Sequence, residues 1–97
     1  MFEYKQTPES LTCILQGKID LLASEKITGE LDKFTLALFP VIVFDMKDVI
    51  YVSSSFLGII AKISKEVGKE RIIIKNVNAV ILKVLEIVNF KEICRIE

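Results

Sequence analysis

The stretch VIVFDMKDVIYVSSSFLGIIAKISKEVG, residues 41–68, decides how this chain is read. Val41-Ile42-Val43-Phe44 is short, β-branched and apolar throughout, the pattern of a central strand covered on both faces, and Asp45 closes it. Residues 46–52 read as a loop. After Ser53-Ser54-Ser55 the period changes: Phe56, Ile59, Ile60, Ile63 and Val67 fall on one helical stripe, which Gly68 ends. The three serines fit a helix start, because a serine hydroxyl can accept from the unpaired N–H groups of a first turn. Strand, loop and amphipathic helix in succession make a βα unit, which implies a parallel crossover.

The same alternation extends in both directions. Upstream, residues 2–7 and 11–17 read as two strands joined by Pro8-Glu9-Ser10, with Leu11, Cys13 and Leu15 on the better-buried face of the second. Beyond Gly17-Lys18-Ile19-Asp20, the residues Ala23, Ile27, Leu31, Phe34 and Leu38 recur at helical spacing. Asp20 is placed to cap this helix and Pro40 to stop it. Downstream, Ile72-Ile73-Ile74 reads as a buried strand, Asn78 as the cap of a third helix over 79–88, and 93–96 as a last short strand. The expected fold is α/β: β-β-α-β-α-β-α-β, a small, mostly parallel sheet with an antiparallel edge hairpin, in a single domain over residues 1–97.

Composition narrows the function. Thirteen basic and thirteen acidic residues cancel, and the basic ones are spread along the chain, so there is no electrostatic footprint for nucleic acid. No apolar run approaches the roughly 20 residues needed to span a bilayer, so membrane insertion is not expected. The N-terminus has no basic head followed by an apolar stretch, which points to the cytoplasm. With no histidine, the usual nucleophile–base arrangements are missing, and glycines 17, 29, 58 and 68 build no phosphate-binding loop. Cys13 and Cys94 stand apart in strand-like surroundings and read as buried apolar residues. Asp45 and Asp48 follow a central strand, where α/β folds often place ligands, yet solvated loop acids are the simpler reading. The expectation is a protein-binding module without catalytic residues, metal or cofactor. The serines add one further option, since a phosphate of about −2 charge suits the positive end of a helix.

Gly17-x-Ile19-Asp20 after the second strand, and Tyr51-Val52-Ser53-Ser54-Ser55-Phe56-Leu57-Gly58 before the second long helix, resemble the motifs of STAS domains of the anti-sigma-factor antagonist type. The likeness covers nearly the whole chain. A receiver domain also places an aspartate after a central strand, but the opening hairpin argues against that alternative. The resemblance implies that Ser54, rather than Ser53 or Ser55, is phosphorylated by an anti-sigma factor that is itself a serine kinase, and that a phosphatase resets it. It also implies a partner-binding surface of Asp20, Ser53, Ser54, Ser55, Phe56, Leu57 and Gly58.

Two positions depart from the family pattern. Ser53 stands where an aspartate is usual, and Phe56 where a glycine is usual. The second puts a large side chain beside Ser54, as a plug for a partner or an obstruction to a kinase. These departures favour the alternative reading, a non-switching STAS scaffold in a larger signalling or lipid-transport assembly. Many members also continue past the last strand into a further helix. The helix over 79–88 leaves only Lys83 and Glu86 polar, more apolar than one-sided burial requires, which makes it either a core element or a homodimer surface.

Overall fold

A computed structural model describes residues 2–97. Its elements in chain order are β1 (Glu3–Gln6), β2 (Ser10–Ile19), α1 (Leu21–Leu31), β3 (Val41–Val52), α2 (Ser54–Val67), β4 (Ile72–Lys75), α3 (Ala79–Ile87) and β5 (Arg95–Ile96). Short 3₁₀ turns at 36–38, 69–71 and 90–92 join them. One five-stranded sheet runs in the order β1-β2-β3-β4-β5, with β1 antiparallel to β2 and the other pairs parallel. The expected fold class and element order are those observed.

Sequential strand order has a consequence that periodicity did not reveal. Right-handed crossovers between successive neighbours all fall on the same side, so the three helices share one face of the sheet. The buried residues agree. Leu11, Ile42 and Ile72 lie side by side in register, as do Cys13, Phe44 and Ile74, and all six join Ile27, Phe56, Ile60, Ile81 and Leu85 in one core cluster. Val41 and Val43 turn to the opposite face and are only half-buried, so β3 is not covered on both faces as expected.

Strand β3 is also three times as long as the expected Val41–Phe44. Asp45 does not end it, and residues 46–52 continue the strand rather than form a loop. Its pairing with β2 is Ile14↔Asp45, Gln16↔Asp48, Gly17↔Val49 and Lys18↔Tyr51, which places one extra β3 residue at each of two bulges. Inward-facing Met46, Val49 and Val52 are therefore spaced by three instead of two. Gly17, opposite the second bulge, has φ +75°, a left-handed backbone that glycine adopts without strain.

Helix α1 stops at Leu31, short of the predicted continuation through Phe34 and Leu38. The amides of Lys33 and Phe34 bond back to the carbonyls of Glu30 and Leu31, tightening the last turn and swinging the chain aside. Phe34 then meets the rings of Tyr4 at 5.9 Å and Phe39 at 6.3 Å, while Leu38 lies exposed. Arg71 fixes this connection by donating to the carbonyls of Ala37 (2.6 Å), Phe39 (2.5 Å) and Val67 (3.3 Å).

Candidate functional site

Each helix begins where a parallel strand ends, so all three N-termini lie along one edge of the sheet, the edge where open α/β sheets place their ligands. A polar side chain caps each start. Asp20 Oδ1 accepts from the Ala23 amide at 2.9 Å, Ser53 Oγ from Phe56 at 3.3 Å, and Asn78 Oδ1 from Ile81 at 2.8 Å. The caps are also tied together. The Ser53 amide donates to the Ile19 carbonyl at 2.9 Å, which anchors the end of β3 to the end of β2. Asn78 Nδ2 donates to the Val49 carbonyl at 3.2 Å, which anchors the start of α3 to the bulged part of β3.

Ser24 joins the first two caps and was not singled out from sequence. It is buried, donates to the Asp20 carbonyl at 2.7 Å, and its Oγ lies 3.4 Å from Ser53 Oγ. A signal existed: Ser24 falls on the same stripe as Ile27 and Leu31, a polar residue on an apolar face. Ser53 thus caps α2 while its hydroxyl meets that of α1.

Ser54 is the first residue of α2 and its side chain is exposed. The Phe56 amide is taken by Ser53, and the amide of Leu57 makes the first helical bond, to the Ser53 carbonyl at 3.2 Å. The amides of Ser54 and Ser55 have no intrahelical acceptor, so the positive end of the helix is open beside the Ser54 hydroxyl. Asp20 and Gly58 are exposed too, and Ser53, Ser55 and Leu57 are half-buried.

Phe56 differs from the other predicted contact residues. It is fully buried, with its ring edge-on to Phe44 at a centroid distance of 6.0 Å and an interplanar angle of 84°. The side chain is a core residue, neither a plug for a partner nor an obstruction over Ser54. At the third helical position it points down onto the sheet, as the stripe with Ile60 and Ile63 requires.

Exposed apolar side chains frame the edge: Leu21 and Leu22 at the start of α1, and Ile50 and Tyr51 at the second bulge of β3. The bulge explains the last pair, since it turns two consecutive residues outward. The two aspartates take no part. Asp45 Oδ1 accepts from Asn76 Nδ2 at 3.0 Å and from the Lys47 amide at 3.2 Å, and Asp48 lies exposed. Partial burial pushes the Asp45 carboxyl up, but those two hydrogen bonds and the charges of Lys75 and Lys47 outweigh it and hold the group below the usual aspartate value. Cys13 and Cys94 are buried, and burial pushes both thiols up to about 12. Among the described residues no group of three or more acidic or cysteine side chains could hold a metal ion, and no helix is long and apolar enough to cross a membrane.

Comparisons with known proteins match this arrangement. The family model described as STAS domain matches residues 1–97. The anti-sigma factor antagonist SpoIIAA in its unphosphorylated form superposes with a TM-score of 0.76 at 20% identity, covering 100% of this chain and 87% of that one. A putative anti-sigma factor antagonist from Thermotoga maritima gives a TM-score of 0.84 at 20% identity over 98% of this chain and 84% of its own. The Bacillus cell fate determinant SpoIIAA in the phosphorylated form gives 0.74 at 20% identity, over 100% and 91%. At this identity the structural likeness speaks for the fold. No curated protein sequence gives a match.

Proposed function

The chain belongs to the STAS domain family, and from that premise we propose that it is a cytoplasmic anti-sigma-factor antagonist whose switch is Ser54. The observation that carries this reading is the position of Ser54: exposed, first in α2, and directly after the Ser53 cap, whose hydroxyl is tied to Ser24 of α1. In its unmodified form the domain binds an anti-sigma factor along this edge and so frees sigma. The anti-sigma factor acts as a serine kinase. Ser54 Oγ attacks the γ-phosphorus of ATP, the new O–P bond forms as the bond to ADP breaks, and the hydroxyl proton passes to a base of the kinase. A phosphatase later hydrolyses the ester.

The local physics favours release without refolding. A phosphate on Ser54 faces the free amides of Ser54 and Ser55 and the positive helix end, so the helix does not melt. It adds about two negative charges to an edge that already carries the exposed Asp20 carboxylate. A partner seated on Leu21, Leu22, Ile50 and Tyr51 then has to bury that charge or leave. SpoIIAA, solved in unphosphorylated and phosphorylated forms, supports a switch of this kind.

A second reading, the non-switching scaffold, rests on Ser53, a neutral cap where the family pattern carries an aspartate. Incubation with ATP and the cognate anti-sigma kinase, followed by intact mass measurement, separates the two. The switch requires one phosphate on the wild type and none on Ser54→Ala. A wild type that gains no phosphate leaves the scaffold reading in place. A phosphate that survives Ser54→Ala assigns the switch to Ser53 or Ser55.

A further inference from the structure

We infer that the free edge of β1 is a self-association surface, on which two copies of this chain pair their β1 strands antiparallel about a two-fold axis at Tyr4. The sheet ends in β1 on one side and β5 on the other. β5 is only two residues long, whereas β1 is a regular strand of four with β2 along one side and no pairing partner among the described residues along the other. An open edge of this kind is a template for another strand unless its side chains oppose the approach. β1 is also held in place. The Tyr4 hydroxyl donates to Glu30 Oε1 at 2.7 Å and its ring meets Phe34 at 5.9 Å, which pins the strand to the end of α1.

The hydrogen-bonding phase of β1 fixes which residues a second strand can reach. The Thr7 amide donates to the Ser10 carbonyl at 2.9 Å, so the main-chain groups of Thr7 point at β2, and the register carries that phase to Lys5 opposite Thr12 and Glu3 opposite Ile14. The main-chain groups of Phe2, Tyr4 and Gln6 therefore point outward. With Tyr4 against the partner's Tyr4, Phe2 lies against the partner's Gln6, and each of these pairs exchanges both its N–H and C=O bonds.

Charge selects the partner and the register. Tyr4 turns its side chain toward the helices, so Glu3 and Lys5, both exposed, project from the opposite face. With the axis at Tyr4, Glu3 stands directly opposite the partner's Lys5, and the two-fold repeats the pair. These are non-hydrogen-bonded positions, where opposed residues come closest, about 4.5 Å between Cα atoms. Moving the axis to Glu3 sets that carboxylate against its own copy, and moving it to Lys5 does the same with the ammonium group. Only the register centred on Tyr4 pairs opposite charges. A patch complementary to its own copy is what a two-fold contact between identical subunits requires.

Area sets the strength. The paired stretch from Phe2 to Gln6 is about 17 Å long. One strand pair of that length buries less than the roughly 800 Å² per partner of a stable interface, so the dimer is weak and reversible. β1 lies along residues 11–14 of β2, whereas the helix starts are tied to the far end of β2 at Ile19. The two-fold also sends the helix starts of the two copies in opposite directions. Ser54 stays clear of the contact, which is independent of the reading given to that residue.

Sedimentation velocity of the full chain across a dilution series tests this. The weight-average mass should rise with concentration from 11.0 kDa toward twice that value. Amide exchange followed by NMR locates the contact: Tyr4 and Gln6 should slow several-fold as concentration rises, while Glu3 and Lys5, already bonded to β2, should not change. Glu3→Lys and Lys5→Glu should each hold the protein near the monomer mass where the wild type dimerises. An equimolar mixture of the two should dimerise, because each then faces opposite charges on the other. Gln6→Pro removes an outward N–H and spares the bonds to β2, so it should weaken the dimer with an unchanged circular dichroism spectrum. A strict monomer at millimolar concentration overturns the inference. So does a dimer whose Tyr4 amide exchanges at the monomer rate, a pair of charge variants that fail to complement each other, or a dimer that survives Gln6→Pro and is lost on Ile87→Lys, at an exposed position of α3.

Discussion

Substituting Phe56 by alanine separates a core residue from a contact residue, because the two roles predict different stabilities. The side chain is fully buried and packs edge-on against Phe44 beneath the start of α2. Removing a buried phenylalanine ring costs about 3–5 kcal/mol, of which the aromatic pair itself accounts for about 0.5–1.5 kcal/mol. A 97-residue chain has about 5–15 kcal/mol of total stability at typical per-residue values, so the variant should lose roughly a fifth or more of it. With a urea slope of about 1–1.5 kcal/mol per molar for a domain of this size, the unfolding midpoint should fall by roughly 2–5 M. The assay is equilibrium urea unfolding followed by far-ultraviolet circular dichroism, with Phe44→Ala and the double variant completing a cycle. A positive coupling energy is expected from the ring contact. If Phe56→Ala shifted the midpoint by less than about 0.5 M while abolishing partner binding, the ring would be a docking element and its assignment to the core would be refuted.

Two further perturbations test other parts of the fold. Asp45 has its carboxyl held below the usual value of 3.8 in the folded state, so its contribution is fully present above the unfolded value and is lost as pH falls through the folded one. Asp45→Asn should therefore lower stability at neutral pH and flatten the loss below about pH 4 in acid titrations of thermal stability, whereas an unchanged acid limb would contradict the assignment. Arg71→Ala leaves three carbonyls, of Ala37, Phe39 and Val67, without their donor and should cost about 1.5–3 kcal/mol. Amide exchange should accelerate first at Leu38 and Phe39, whose own amides hold the 3₁₀ turn.

The parts of this fold that were legible in sequence are those where one physical rule acts alone. Asp20, Ser53 and Asn78 are caps because a short polar side chain before an apolar period has few other uses, and all three make the expected bonds. Where two rules competed, periodicity misled. Phe34 and Leu38 continue the α1 stripe on paper, but Phe34 is drawn away by Phe39 and by Tyr4, the latter 30 residues distant in sequence, a contact that a local pattern does not register. The coverage of β3 was misjudged for a similar reason. An apolar run of four fits a strand buried on both faces, yet only the sequential strand order, a property of the whole sheet, decides that one face is left without helices.

The errors at residues 46–52 and at Phe56 lie together at the edge where the helices start, and they share a cause. Alternation failed after Phe44 because β3 carries two extra residues there, and a strand with two bulges looks like a loop to any test of period two. Those extra residues change what the strand delivers. They turn Ile50 and Tyr51 outward beside the helix starts and still bring Val52 in register with Ile19, so that the Ser53 amide bonds the Ile19 carbonyl and its hydroxyl reaches Ser24. Phe56 then anchors the first turn of α2 into the core from below, which leaves Ser54 facing solvent on a fixed backbone. The switch proposed for Ser54 draws on both features: a rigid helix start, and an apolar rim whose docking an added charge would oppose. The local departures from regular patterning are therefore the means by which the edge is built.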